Sequence, residues 1–304
     1  MKNRKYSLVF IMLLCMIMAV SAFPMTVNAD MGPKASVRIQ FEHMGDELCY
    51  GTLLSKEKST GPASAWDGRT ESAQKEYMDP GIWEIFVNYK DPDGYYFLQR
   101  SWKVSESKEL AWTYYPPGDF KILLYYPETE TFVSSGIYAR YAFDTYYTVD
   151  MDGVDIGSVE YNDDLSTNER IEAYRSYNYR QEMLALGARI VLTILIEMLV
   201  ALLFGFRQKK QLLILAVVNV ITQIILNVLL NVINYNSGPL AFTFFYVLFE
   251  LIVFALEAVL YCTILKRLSE KKKEDAYYIL YSFVANLISF GAGLFLAVKL
   301  PGMF

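Results

Sequence analysis

Between residues 186 and 298 the chain carries four mostly apolar runs, 186–206, 211–233, 240–265 and 277–298. At about 1.5 Å of helical rise per residue, each is long enough to cross the roughly 30 Å hydrocarbon core of a bilayer. This predicts a four-helix transmembrane domain over residues 186–304. The linkers give it a direction. Arg207, Lys209 and Lys210 occupy the first, and Lys266, Arg267, Lys271, Lys272 and Lys273 the third, whereas the second, Asn234-Tyr-Asn-Ser-Gly-Pro239, is uncharged. Basic linkers are retained in the cytoplasm. Loops 207–210 and 266–276 are therefore expected inside, and the second linker and the C-terminus outside.

The amino end agrees independently. Met1-Lys-Asn-Arg-Lys5 is a basic start, residues 6–23 are almost uninterruptedly apolar, and Val27-Asn28-Ala29 offers small residues for cleavage. Residues 1–29 read as a signal peptide with Asp30 as the first mature residue. The alternative is an uncleaved signal anchor, since about 18 apolar residues just span a bilayer. Either way the following domain is exported. Charge divides the chain at the same place. Residues 30–185 hold 15 Lys and Arg against 27 Asp and Glu, a net of −12, and the remainder holds 13 against 6, a net of +7, together the −5 of the whole. Of three cysteines, Cys15 lies in the leader, Cys49 in the exported domain and Cys262 in an apolar run. No intrachain disulfide is expected.

Residues 30–165 read as an extracytoplasmic β-rich domain. Val37, Ile39 and Phe41 alternate with Arg38, Gln40 and Glu42, so 37–44 is a half-buried strand, and the turn at Gly45-Asp-Glu47 leads to 48–54 as its hairpin partner. Further strands are expected at 83–89, 95–104, 120–126, 131–138 and 142–149. Asp91-Pro-Asp-Gly94, Pro116-Pro-Gly-Asp119 and Pro127-Glu-Thr-Glu130 separate several of them. The spacing suggests an antiparallel β-sandwich, with residues 55–80 a loop holding at most a helical turn. Ser166-Thr-Asn-Glu169 matches a capping box. It predicts a helical connector, 166–185, beginning near Thr167 and running into the first span.

Two acidic clusters, Asp91-Pro-Asp93-Gly94 and Asp150-Met-Asp152-Gly153-Val-Asp155, offer carboxylates to a calcium ion, but neither has the loop of an EF-hand. Asp-Gly is also a common hairpin turn, and the turn reading is preferred. Trp66, Trp83, Trp102, Trp112 and four Tyr-Tyr pairs fit either a stacking surface for sugar or peptide or, more simply, the core of a small sheet.

Polar residues within the apolar runs carry the sharpest chemical signal. Asn219, Gln223, Asn227 and Asn231 recur every four residues, so they form one stripe down a helix. Glu250 and Glu257, seven apart, share a face with Tyr246 and Tyr261. Arg189, Thr193 and Glu197 repeat at four, and Ser282, Asn286, Ser289 and Gly293 mark the last run. Counting rise from the expected orientation puts Glu197, Gln223, Glu250 and Asn286 near the midplane. Asn219 and Glu257 fall one layer toward the cytoplasm, and Asn227 toward the outside. A carboxyl at bilayer depth costs roughly 2.5–3.5 kcal/mol on insertion scales, so three of them are expected to face one bundle interior. The bland alternative is interhelical hydrogen bonding, worth about 0.6 kcal/mol per contact.

The candidate site is therefore Glu197, Asn219, Gln223, Asn227, Glu250, Glu257 and Asn286. It suits proton- or cation-linked transport, with oligomerisation or another membrane protein as partner beside the lipid bilayer. A membrane-anchored envelope sensor or interaction protein, with its ligand on the ectodomain, is the alternative. An intramembrane enzyme is the weakest reading. The sole histidine, His43, lies outside the runs, and they contain no Asp, no Gly-x-Ser-x-Gly elbow and no phosphate-binding glycine loop. No cofactor, metal or nucleic acid is expected.

The arrangement resembles that of uncharacterised bacterial, Firmicute-like membrane proteins. The resemblance lies in Asp30-Met-Gly-Pro-Lys34, Asp91-Pro-Asp-Gly-Tyr-Tyr96, Trp112-Thr-Tyr-Tyr-Pro-Pro117, Glu197, Phe204-Gly-Phe-Arg207, Val218-Asn-Val-Ile-Thr-Gln-Ile-Ile-Leu-Asn227, Glu250 and Glu257-Ala258. It covers most of the chain. It implies a signal peptide, a β-rich outer domain and four C-terminal helices, and no activity.

Overall fold

Strand β1 (Ser36–Glu42) puts Val37, Ile39 and Phe41 into the core and leaves Gln40 and Glu42 exposed, as its alternation requires. A computed structural model describes residues 33–57, 64–66, 68, 73–154, 156, 169–270 and 272–299. The expected signal peptide and Ser166 lie outside the described residues. The chain divides into a β-rich unit, Pro33–Tyr177, and a helical unit that begins at Asn178.

The expected hairpin does not form. β2 (Tyr50–Ser55) belongs to a different sheet from β1. Its run of five buried residues, Gly51 to Ser55, shows why: β2 is covered on both faces, as a central strand is. Leu53 enters one core while Leu54 enters another. The segment expected to be a strand at 83–89 is instead helix α1 (Pro80–Asn88). Asp79 Oδ1 accepts from Gly81 N at 2.8 Å and Ile82 N at 3.2 Å, and Pro80 opens the first turn. Ile82, Trp83 and Phe86 of α1 pack on Leu54, Leu123 and Tyr125.

After the two-residue strands β3 (Tyr96–Phe97) and β4 (Trp102–Lys103) and the single turn α2 (Val104–Ser107) comes β5 (Glu109–Trp112), which was not anticipated. β6 (Asp119–Tyr126), β7 (Thr131–Ser135), β8 (Tyr138–Ala139) and β9 (Asp144–Asp150) follow. The first part of the expected connector helix is instead strand, β10 (Glu169–Ile171) and β11 (Ala173–Arg175), and the helix that runs into the first apolar run begins only at Tyr179. One sheet runs β11-β9-β1-β5 and the other β10-β7-β6-β2-β3, with β4 also on β2 and β8 on β6. Pairing is not purely antiparallel, because β1 lies parallel to β9 and β10 parallel to β7. The two sheets share a core that contains Val37 and Ile39 from one and Leu53, Ile122 and Leu124 from the other.

In the helical unit α3 (Tyr179–Leu203) starts at Asn178, whose Oδ1 accepts from Gln181 N at 3.1 Å. It ends in a Schellman turn. Gly205 has φ +80°, Phe206 N donates to Ala201 O and Gly205 N to Leu202 O, each at 3.0 Å. Helix α4 (Lys209–Leu260) continues through a π-helical turn, Tyr261–Leu265, to Leu268. Gly238 interrupts it with φ +81° and ψ −178°, and Pro239 follows. There α4 folds back on itself, because Leu226 and Leu230 of its first arm pack on Val253, Phe242 and Phe245 of its second. The uncharged linker is thus reduced to one non-helical residue. Helix α5 (Asp275–Lys299) completes the unit, with Asp275 paired to Lys266 at 2.8 Å. Among the described residues three helices, Tyr179–Leu203, Lys209–Leu268 and Asp275–Leu296, are long and apolar enough to cross a membrane.

Candidate functional site

Helical geometry turns the polar residues inward. Asn219, Gln223 and Asn227 on the first arm of α4, Glu250 and Glu257 on the second, Glu197 on α3 and Asn286 on α5 are each at most 4% exposed. On the same helices Leu195 and Leu199 are 57% and 62% exposed, and Val217, Ile221 and Ile225 about half. A soluble protein distributes polarity the other way round.

The site has two layers. In one, Glu257 is held from both sides: Thr222 Oγ1 donates to Oε1 at 3.0 Å and Asn286 Nδ2 to Oε2 at 2.7 Å. Tyr261, at the start of the π turn, donates its hydroxyl to Asn219 Oδ1 at 2.9 Å. Glu197 lies next to Asn219 and Ser289. Both its carboxyl oxygens lack a hydrogen-bond partner, and Tyr281 Oη donates only to its backbone carbonyl, at 3.3 Å. Asn286 belongs to this layer with Glu257, whereas rise-counting had set the two at different depths. The difference arises because depth counted along separate helices ignores their tilt and axial offset.

The other layer surrounds a cavity of about 90 Å³. Glu250, Gln223, Asn227, Tyr246 and Ser289 line it, as does Arg189. Asn227 Nδ2 donates to Gln223 O at 2.8 Å and to Gln223 Oε1 at 3.2 Å. Glu250 Oε2 and Gln223 Nε2 have no partner. Arg189 makes no ion pair among the described residues. Its Nη2 donates to Asn231 Oδ1 and its Nε to Ala185 O, both at 3.4 Å, and its guanidinium lies 5.9 Å from the Phe242 ring.

The spacing rule led to all seven candidate residues but missed Thr222 and Tyr281. One hydroxyl in an apolar run carries little sequence signal, because threonine often satisfies itself on its own helix, as Thr222 also does at Val218 O. The three carboxyls stand within electrostatic reach of one another. No Lys or Arg lies within 4.0 Å of any of them among the described residues. A carboxylate so placed is neutralised by a proton or by a bound cation.

The acidic clusters of the β-rich unit are occupied differently. Lys121, fully buried, donates to Asp91 at 3.1 Å and also to Asp93. Burial works against its charge, but these bonds and the two negative charges outweigh it and raise its pKa, while the Lys121 bond lowers that of Asp93. Asp150 accepts from Asp152 N at 3.0 Å and pairs with His43 Nδ1 at 2.8 Å. Asp155 lies outside the described residues. Among the described residues no three His, Cys, Asp or Glu side chains gather as metal ligands. Most of the aromatics fill cores, with Trp112 fully buried against Trp102.

Compared with family models, curated proteins and solved structures, the chain matches none.

Proposed function

We propose that this is a four-pass protein of the bacterial cell membrane, made with a signal peptide, whose sandwich-like β-rich unit faces outward. Its helical interior moves protons, or exchanges them for a cation or amine. In this reading α4 crosses twice, reversing at Gly238, so α3, the two arms of α4 and α5 make a four-helix bundle. Basic loops 207–210 and 266–276 then lie in the cytoplasm.

One observation carries the proposal. Glu197, Glu250 and Glu257 are buried without a cationic partner inside helices whose outer faces are apolar. Hydrogen-bond glue would leave its members satisfied, yet among the described residues six buried side-chain atoms have no partner, four of them on Glu197, Glu250 and Gln223. Carboxyls of this kind mark proton and ion pathways in membrane proteins.

The test is proton movement into proteoliposomes, read by an internal pH dye under an imposed potential. Glu197→Gln, Glu250→Gln and Glu257→Gln each keep the side chain's shape and remove its proton exchange. Each is expected to slow the flux at least tenfold. Flux that is unchanged in all three removes the proposal.

A further inference from the structure

The cavity beside Glu250 has a second property, which depends on its complete lining. Its wall contains a carboxyl, Glu250, and a guanidinium, Arg189, that do not pair with each other. Two further features point to a missing occupant. Glu250 Oε2 is an acceptor without a donor, and Gln223 Nε2 is a donor without an acceptor. Both residues are more than nine-tenths buried and both line the cavity. The unmet needs are thus one of each kind, on walls that carry one charge of each sign.

That combination selects among ligands. A bare metal or ammonium cation at Glu250 would leave Arg189 without a counter-charge in the cavity, and a simple anion at Arg189 would leave Glu250 on its proton. A neutral solute would leave Arg189 without a counter-charge in the cavity. A molecule bearing an ammonium and a carboxylate satisfies both, its ammonium at the Glu250 carboxyl and its carboxylate at Arg189. Size narrows the class. About 90 Å³ holds a few waters or one solute of a few heavy atoms, well short of a nucleotide or a lipid headgroup with its glycerol.

We propose that the cavity binds a small zwitterion of the amino-acid type, ammonium at Glu250 and carboxylate at Arg189. The inference rests on the reading of the helical interior as a ligand-exchanging site and names the substrate class. The ammonium replaces the proton that otherwise neutralises Glu250, which ties binding to proton release. Gly293 keeps the site open: a Cβ there would lie 2.7 Å from the Tyr246 hydroxyl, and both residues line the cavity.

The experiment is titration calorimetry on the full-length protein in detergent, with glycine, methylamine and acetate as probes. Glycine is expected to bind wild-type protein at least tenfold more tightly than either single-charge probe. Glu250→Gln should weaken glycine and methylamine at least tenfold and leave acetate unchanged. Arg189→Gln should weaken glycine and acetate and leave methylamine unchanged. The comparison of the three probes on wild-type protein stands even where a variant does not fold. Absence of glycine binding, equal affinity for the three probes, or glycine binding unaffected by both variants overturns the inference. Glycine binding in a protein that moves no protons upholds this site and removes the transport proposal. Proton movement in a protein that does not bind glycine does the reverse.

Discussion

Lys121 sits between Asp91 and Asp93 as a covalently tethered cation, where the sequence allowed either a bound ion or a turn. The turn is also there, because Asp91 Oδ2 accepts from Asp93 N at 3.0 Å and Tyr95 N at 3.1 Å. Both side chains of the Lys121–Asp91 pair are fully shielded from water. Lys121→Met would leave Asp91 buried and unpaired, which costs about 3–5 kcal/mol. All four tryptophans belong to the β-rich unit, so their fluorescence during urea unfolding of the full-length protein reads this loss directly. A loss below about 1 kcal/mol would mean that water reaches Asp91. His43 gives a pH test. Its hydrogen bond to Asp150, and then the charge of Asp150, raise its pKa above 6.5. A group whose folded value is raised contributes stability in full below the unfolded value and loses it as pH rises through the folded one. The β-rich unit should therefore be slightly more stable below pH 6.5 than above it. As the only histidine, its ring protons give a single NMR titration, whose midpoint should fall in Asp150→Asn. At this scale a recurrence of polar residues every four positions in a greasy run was legible, because each amide there defies its surroundings. Lys121 was not, because its partners are 28 and 30 residues away and only folding brings them together.

Elements follow local sequence where the local signals agree and escape it where they compete. The run 82–87 is rich in β-formers, and its propensity suggested a strand. Asp79-Pro80 supplies a cap and a first-turn proline, and packing of Trp83 and Phe86 on β2 and β6 decides for the helix. Asp79→Ala should cost about 1 kcal/mol by the same fluorescence assay. The connector erred in the opposite direction. A capping pattern without glycine or proline predicted a helix, but residues 169–175 complete the edges of both sheets, through β10 on β7 and β11 on β9. Sheet edges recruit strands through backbone groups that no side-chain pattern advertises. Gly238 was legible only as part of a neutral linker. Its φ of +81° with ψ of −178° is a conformation essentially restricted to glycine. Gly238→Ala should destabilise the helical unit by about 1–3 kcal/mol. Gly187→Ala, in a helix with open space around its Cβ, is the matched control and should be neutral or slightly stabilising. Thermal loss of helical circular dichroism in detergent distinguishes the two.

Over the whole chain, the division into two units falls close to the charge division drawn at residue 185: an acidic β-rich part to Tyr177 and a basic-flanked helical part from Asn178. The helical unit is polar within and apolar without, an arrangement that water would penalise at about 25 cal/mol for each Å² of exposed hydrocarbon and that acyl chains remove. Acyl chains are the solvent that suits such an outer face, and the proposal then turns on how often the chain crosses them. Three helices meet the length and hydropathy of a span, but α4 is folded. Thr222 bonds Glu257 and Asn219 bonds Tyr261, partners 35 and 42 residues apart that a straight helix would separate by more than 50 Å. A helix so folded returns to the end of the unit it left, so the α3–α4 and α4–α5 linkers share one end of the helical unit and Gly238 lies at the other. Cysteine labelling decides this. Cys15 and Cys262 would be replaced by serine, whereas Cys49 can stay, since its burial pushes the thiol up to about 12 and leaves it unreactive. An impermeant maleimide added to intact cells should label Ser237→Cys and spare Lys210→Cys and Lys272→Cys, and all three should react once the membrane is opened. Labelling of Lys210→Cys from outside at the rate of Ser237→Cys would invert or abolish the four-pass arrangement.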